Sequence, residues 1–277
     1  MLLRLLASIE ITRPHNMLAS ALSVVVGYHV ADGGDLTGVW VPAALAAVIT
    51  GAGNIINDHY DVVIDRINKP RRPLPSGRLT VRHALTIYVL LTLATNVALF
   101  ALVPRLVAVL MLGWQVALVG YAVWLKRVLI AGNLLVATVT SSAFLAGALI
   151  AGRPTGAMIP VMIAFVFVLS RELVKGAEDV TGDAPAGVHT VASRFGVARA
   201  AWIAAIIMTL LAVLIPVPAF IGYFGPGYLW TMMLSVVPGL LAGAWMIVHR
   251  PDTRTFCRVS WILKFGMFFG IFAIALG

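Results

Sequence analysis

One cysteine, Cys257, stands in 277 residues, so an internal disulfide is excluded and a thiolate metal cage has no second ligand. Acid is scarce too: eleven Asp and Glu against twenty Lys and Arg, for a formal net charge of +9. No His or Cys grouping has the spacing of a zinc site. Polar sequence long enough to build a soluble domain is also missing. What fills the chain is apolar: 61% hydrophobic residues and a mean hydropathy of +0.98.

The apolar residues come in runs long enough to cross a bilayer, which needs about 20 residues per helix. Nine are expected, over 11–30, 39–57, 83–103, 106–125, 128–151, 157–175, 197–219, 228–248 and 257–277. Their length and uniform apolarity predict helices rather than barrel strands. The expected fold is therefore an all-α integral membrane protein, one nine-helix bundle in a single domain over 1–277. The first run follows Arg13-Pro14 and passes directly into this pattern, so it reads as a retained helix and not a cleaved signal.

Basic residues orient the bundle. All 20 Lys and Arg except Arg105, Arg153 and Lys264 fall on the side of the membrane that holds the N-terminus. This predicts a multi-pass cell-membrane protein with a cytoplasmic N-terminus. The net charge is accounted for by topology and attraction to anionic lipid, and needs no nucleic-acid partner.

Seven of the eleven acids sit in two short segments on that same side, after the second and sixth spans. A charged group at a membrane helix centre costs about 2.5–3.5 kcal/mol on insertion scales, and acids are kept near membrane segments for a use. If the second span continues as a helix, Asn57, Asp61 and Asp65 lie at i, i+4 and i+8, within about 80° of one another, with Asn54 one turn deeper. In the second segment Glu172, Asp179 and Asp183 share a face, Lys175 lies beside them, and Glu178 points away. Oxygen ligands in two such stripes suit Mg²⁺, which takes carboxylates, waters and phosphate oxygens. A weaker third echo, His249-Arg250-Pro251-Asp252, follows the eighth span.

Asn57-Asp58-x-x-Asp61-x-x-x-Asp65 resembles the first aspartate-rich motif of the UbiA-type intramembrane prenyltransferases, and Asp179-x-x-x-Asp183 resembles their second. Asn68-Lys69-Pro70-Arg71-Arg72-Pro73-Leu74-Pro75-Ser76-Gly77 is similar to the loop after their first motif, and Tyr121-x-x-x-x-Lys126-Arg127 to another family motif. The resemblance departs at Gly176, where many members carry a further Asp.

The family implies a central cavity, open to the cytoplasmic side, for a polyprenyl diphosphate. It also implies one Mg²⁺ on Asn57, Asp61 and Asp65 and a second on Asp179 and Asp183. Lys126, Lys175 and Arg72 would meet the diphosphate, although Lys126 also reads as a plain positive-side anchor. Arg13 and Asn16, at the entrance of the first span, read either as a pocket for a polar or anionic acceptor or as an interfacial anchor. Tyr121, Asn54 and Glu172 complete the expected substrate contacts.

The loop from Asn68 to Gly77 looks most like the archaeal ether-lipid branch, in which geranylgeranyl diphosphate alkylates geranylgeranylglyceryl phosphate. Prenylation of 4-hydroxybenzoate or a related aromatic is the alternative acceptor chemistry. A cation-coupled transporter is the alternative of another class. Transporters, however, place such acids near the midplane on broken helices, and here they stand at helix ends.

Overall fold

A computed structural model describes residues 2–183 and 187–277. Among the described residues all regular structure is helical. Eight helices are long and apolar enough to cross a membrane, over 36–60, 81–102, 105–123, 131–150, 154–178, 197–220, 226–249 and 253–275. They match eight expected runs to within four residues at either end. The remaining run, expected over 11–30, is a 17-residue helix, Pro14–Val30, preceded by a separate helix.

The chain forms two compact units, residues 1–126 with 143–154, and residues 127–142 with 155–277. The first contains α1 (Leu2–Thr12), α2 (Pro14–Val30), α3 (Trp40–Tyr60), α4 (Val62–Asn68), α5 (Val81–Leu102), α6 (Arg105–Val123) and the end of α7 (Ala131–Ile150). α3 is its axis and packs on α1, α2, α5 and α6. Ala43, Ala46, Gly51, Ala52 and Gly53 are buried along α3 and let its neighbours come close. α2 and α7 meet almost backbone to backbone: a Cβ on Gly27 would lie 2.0 Å from the Phe144 carbonyl oxygen, and one on Gly147 2.0 Å from that of Val24.

The break between α1 and α2 follows from Pro14, whose ring disfavours the α conformation at the residue before it. Arg13 leaves the helix with φ 53° and ψ 72°, a left-handed conformation that costs a non-glycine residue energy and persists only where its surroundings hold it. α1 is amphipathic. Ala7 and Ile11 enter a core cluster with Ile55, Leu74, Leu79 and Ala84, while Leu3, Leu6 and Ile9 are exposed. Such a helix suits the membrane interface. The exposed Leu90, Leu93, Val97 and Phe100 of α5 would likewise be a liability in water and suit a bilayer.

The second unit holds the start of α7, then α8 (Met158–Glu178), α9 (Val180–Asp183), α10 (Val191–Phe195), α11 (Val197–Leu214), α12 (Val217–Phe220), α13 (Pro226–Thr231), α14 (Val237–His249) and α15 (Thr253–Ala275). α8 packs on α11 and α15, and α14 on both of those. The run expected over 228–248 is not one regular helix. A π turn at Met232–Val236 separates α13 from α14, just ahead of Pro238, whose missing N–H disturbs the ladder there. The third acidic echo is structural: Asp252 caps α15, its Oδ1 accepting from the Thr255 N–H at 2.9 Å.

Candidate active site

The first acidic segment is a helix, a turn and a short helix. α3 ends at Asp61 (φ −95°, ψ 2°), yet helical bonding carries through: the Asp61 N–H donates to the Asn57 carbonyl at 3.0 Å, and the Asp65 N–H to the Asp61 carbonyl at 2.7 Å. Asn57 and Asp61 therefore do share a face, and Asn57 Nδ2 donates to Asp61 Oδ2 at 2.8 Å. The other Asp61 oxygen, Oδ1, accepts from Lys126 Nζ at 2.5 Å. Lys126 sits in a 3₁₀ turn after α6 with only 6% of its side chain exposed, 6.0 Å from the centre of the Tyr60 ring. The Lys126 side chain is thus held against a carboxylate instead of extending into solvent. Tyr121 lies in the last turn of α6, half-buried.

Asp65 is paired with a different base. Its Oδ2 accepts from Arg72 Nη1 at 2.6 Å, and the same nitrogen lies 3.4 Å from Asp58 Oδ1. Asp58 Oδ1 also accepts from Arg13 Nη2, and Arg13 Nη1 donates to Asn54 Oδ1 at 3.3 Å. Asn54 in turn donates through Nδ2 to the Thr12 carbonyl at 2.9 Å, satisfying the frayed end of α1. The left-handed Arg13 is thus held by a side-chain network that reaches α3.

Burial pushes the Asp65 carboxyl above its usual pKa range, and the Arg72 guanidinium opposes that push. Asn16, in the first turn of α2, makes no side-chain hydrogen bond among the described residues and is not drawn into this network. Asp58 is the residue that the periodicity argument left out. Its signal was present, an acid inside the motif, but it lies off the stripe of Asn57 and Asp61.

Arg72 is placed by a folded loop. Leu74 and Leu79 are buried against Ile11 and Ile55 and pull residues 69–80 down onto the helices. Arg78 then clamps the loop to α1 through Glu10, at 2.5 and 2.8 Å.

The second unit repeats the turn. α8 ends at Asp179 (φ −93°, ψ 3°), the Asp179 N–H donates to the Lys175 carbonyl at 2.9 Å, and the Asp183 N–H to the Asp179 carbonyl at 3.1 Å. Glu172 is buried and accepts from Arg171 Nη1 at 2.9 Å, and the Arg171 Nε–H is buried without an acceptor among the described residues. Lys175 is half-buried and makes no ion pair among the described residues. Glu178 is buried rather than solvated.

Among the described residues no three His, Cys, Asp or Glu side chains converge as a ready-made metal cage. The three acids of the first segment face three basic groups instead. Asn57 Oδ1, beside Asp61, is buried with no hydrogen-bond partner among the described residues.

Comparison with known proteins places this arrangement. The sequence model of the UbiA prenyltransferase family matches residues 20–272. The digeranylgeranylglyceryl phosphate synthase of Saccharolobus solfataricus is 34% identical over 97% of this chain and 95% of its own. That of Korarchaeum cryptofilum is 36% identical over 98% and 96%. Among solved structures, a digeranylgeranylglyceryl phosphate synthase superposes with a TM-score of 0.73 at 26% identity, covering 99% of this chain and 98% of that one. A UbiA homologue from Archaeoglobus fulgidus bound to geranyl diphosphate and Mg²⁺ shares the fold, with a TM-score of 0.64 at 19% identity over 97% and 99%. The chain belongs to the UbiA prenyltransferase family, and it is a multi-pass membrane enzyme that transfers prenyl groups.

Proposed function

We propose that this protein transfers a geranylgeranyl group from geranylgeranyl diphosphate to the free hydroxyl of geranylgeranylglyceryl phosphate, with Mg²⁺. The observation that carries the chemistry is the half-buried Asn57–Asp61–Lys126 cluster at the end of a membrane helix. The acceptor rests on the end-to-end similarity to synthases of that name. The positive-side charge supports a cytoplasmic N-terminus and a cytoplasmic mouth for the site. Pro14–Val30, about 25 Å long, is read as the ninth crossing, with α1 lying at the interface beside it. The family match over most of the chain supports one functional domain.

The donor set fits the metal. Asn57 Oδ1 is an orphaned acceptor next to a carboxylate, and a hard cation takes just such oxygens together with water and phosphate. In this reading Asn57, Asp61 and Asp65 hold one ion, and Asp179 with Asp183 a second. When bound, Mg²⁺ neutralises the diphosphate and stabilises the charge that grows on it as the allylic C–O bond breaks. Lys126, Arg72 and Lys175 supply further positive charge to the departing diphosphate. Arg13, with Asn16, Asn54 and Tyr121, holds the polar end of the acceptor, and Glu172 orients Arg171. As the diphosphate leaves, the acceptor oxygen bonds to the allylic carbon and its proton passes to the released diphosphate, while apolar helices exclude competing water.

The test is prenyl transfer by purified protein in detergent, with labelled geranylgeranyl diphosphate and both geranylgeranylglyceryl phosphate and 4-hydroxybenzoate. Mg²⁺-dependent label in the glycerol ether is the expected result. Label only in the aromatic would overturn the acceptor and keep the enzyme class. No product, with label bound or unbound, would overturn the activity.

A further inference from the structure

We propose that Lys126 and Arg72 are internal counter-ions, seated on the metal-ligand carboxylates and exchanged for metal as diphosphate arrives. The protein would then take up metal and diphosphate together and either one alone poorly. The inference rests on the reading that Asn57, Asp61 and Asp65 are metal ligands.

Three observations carry it. Both oxygens of Asp61 are engaged, Oδ1 by Lys126 at 2.5 Å and Oδ2 by Asn57 at 2.8 Å. Asp65 Oδ2 is engaged by Arg72 at 2.6 Å, and that pair is little exposed, 6% for Asp65 and 23% for Arg72. Each carboxylate of the segment has a basic partner among the described residues: Asp61 has Lys126, Asp65 has Arg72, and Asp58 has Arg13 and Arg72.

A divalent ion that takes Asp61 through Oδ1 and Asp65 through Oδ2 displaces an ammonium and a guanidinium. Lys126 then loses its carboxylate in a poorly solvated place, and Arg72 gives up its 2.6 Å contact with Asp65; separating such buried pairs is costly. Diphosphate removes that cost, because its oxygens accept from the released Lys126 and Arg72. Each ligand therefore raises the affinity of the other, and by linkage the two factors are equal. The arrangement serves the reaction in both directions. Lys126 and Arg72 are delivered to the leaving group only when metal has taken their carboxylates. After the diphosphate departs, they return to Asp61 and Asp65 and help to expel the metal.

The measurement uses Mn²⁺, followed by electron paramagnetic resonance, and inorganic diphosphate, with purified full-length protein in detergent. Lys126→Met removes the competing ammonium, so it should bind Mn²⁺ alone about tenfold more tightly, a gain of about 1.4 kcal/mol. The same variant should bind the preformed Mn²⁺–diphosphate complex about tenfold more weakly. Lys126→Arg keeps the charge and should leave Mn²⁺ alone unimproved. A lysine that only contacts diphosphate would move the second affinity and not the first. Unchanged or weaker binding of Mn²⁺ alone to folded Lys126→Met overturns the proposal.

The ligand assignment is judged separately. Adding Asp61→Asn to Lys126→Met should abolish the gained affinity; if the gain persists, Asp61 is not the ligand and the reading beneath the proposal fails.

Should Lys126→Met not fold, the unsubstituted protein answers through its four lysines, at 69, 126, 175 and 264. Acetylation of Lys126 by acetic anhydride, read by mass spectrometry, should speed up with saturating Mg²⁺ alone and slow again when diphosphate is added. Rates indifferent to both additions would overturn the exchange.

Discussion

Asp61 ends a 21-residue helix at φ −95°, ψ 2°, and Asp179 ends another 21-residue helix at φ −93°, ψ 3°. Each donates its N–H to the carbonyl four residues back, and each carbonyl accepts from an aspartate four residues on. The backbone device is the same: a bend that keeps helical bonding while presenting two carboxylates on either side of it. The difference lies one turn earlier, where the first helix carries Asn57 and Asp58 and the second Lys175 and Gly176. The first turn therefore gathers its positive charge from elsewhere, from Arg13, Arg72 and Lys126, whereas the second carries a lysine in its own stripe. Equal backbones with unequal charge arrangements suggest a shared task of holding metal and a divided task of handling the substrate's anions.

The sharpest way to break this comparison is to delete one carboxylate at each bend. Asp61→Ala and Asp179→Ala should each lower turnover by at least about 10²–10³-fold, the loss seen when one electrostatic stabiliser of a developing charge is removed. Both are read in the labelled-prenyl assay, with thermal unfolding as the control for folding. Near-normal turnover in either folded variant would end the equivalence of the two bends.

The next effect separates the registers one turn earlier. Asp58 is buried and shared by two guanidinium groups, so Asp58→Asn takes the carboxylate from Arg13 and one of two from Arg72. The loss of stability should be about 3 kcal/mol, the low end for breaking a buried pair, because Arg72 keeps Asp65 at 2.6 Å and both arginines keep some contact with solvent. Equilibrium unfolding in mixed micelles measures it. A loss below about 1 kcal/mol would class Asp58 with surface ion pairs.

Much of this was legible in advance, for physical reasons that can be named. Spans are set by bilayer thickness, so eight of them could be placed by counting apolar residues. The Asn57–Asp61 contact follows from helical spacing alone. The fate of Asp65 does not, because it depends on Arg72. Arg72 is placed by Leu74 and Leu79 burying themselves beside α1, a tertiary event with no local period. Asp58 was hidden for the same reason: its partner Arg13 lies 45 residues earlier. The separation of α1 from α2 had a local signal in Pro14, masked by apolar residues on both sides of it.

A smaller effect sharpens the contrast at Gly176. A Cβ there would meet only the Thr190 side chain, at 3.5 Å, an ordinary contact. Gly176→Ala should therefore stabilise the protein by about 0.5–1 kcal/mol, as alanine does over glycine inside a helix. Gly176→Asp should also fold. By adding an acid at the register of Asp58, it should lower the Mg²⁺ concentration needed for half-maximal turnover. A folded Gly176→Asp with an unchanged Mg²⁺ requirement would mean that this register has no part in metal binding in the second unit.

The smallest effect concerns the third acidic echo, where the same residue type serves a different end. Asp252 follows a membrane helix as the others do, but its carboxylate caps the next helix. The Thr255 N–H holds its pKa below the usual carboxylate range. A depressed folded pKa means that the stabilisation is complete above the unfolded value and is lost as pH falls through the folded one. Asp252→Ala should therefore lower Tm at neutral pH, with the gap to the parent closing as the acid range is crossed, and leave turnover unchanged. Asp252→Asn keeps an acceptor oxygen and should recover most of that Tm without the same pH dependence. Lost turnover in folded Asp252→Ala would make the echo a working site, and the comparison would then be among three bends instead of two.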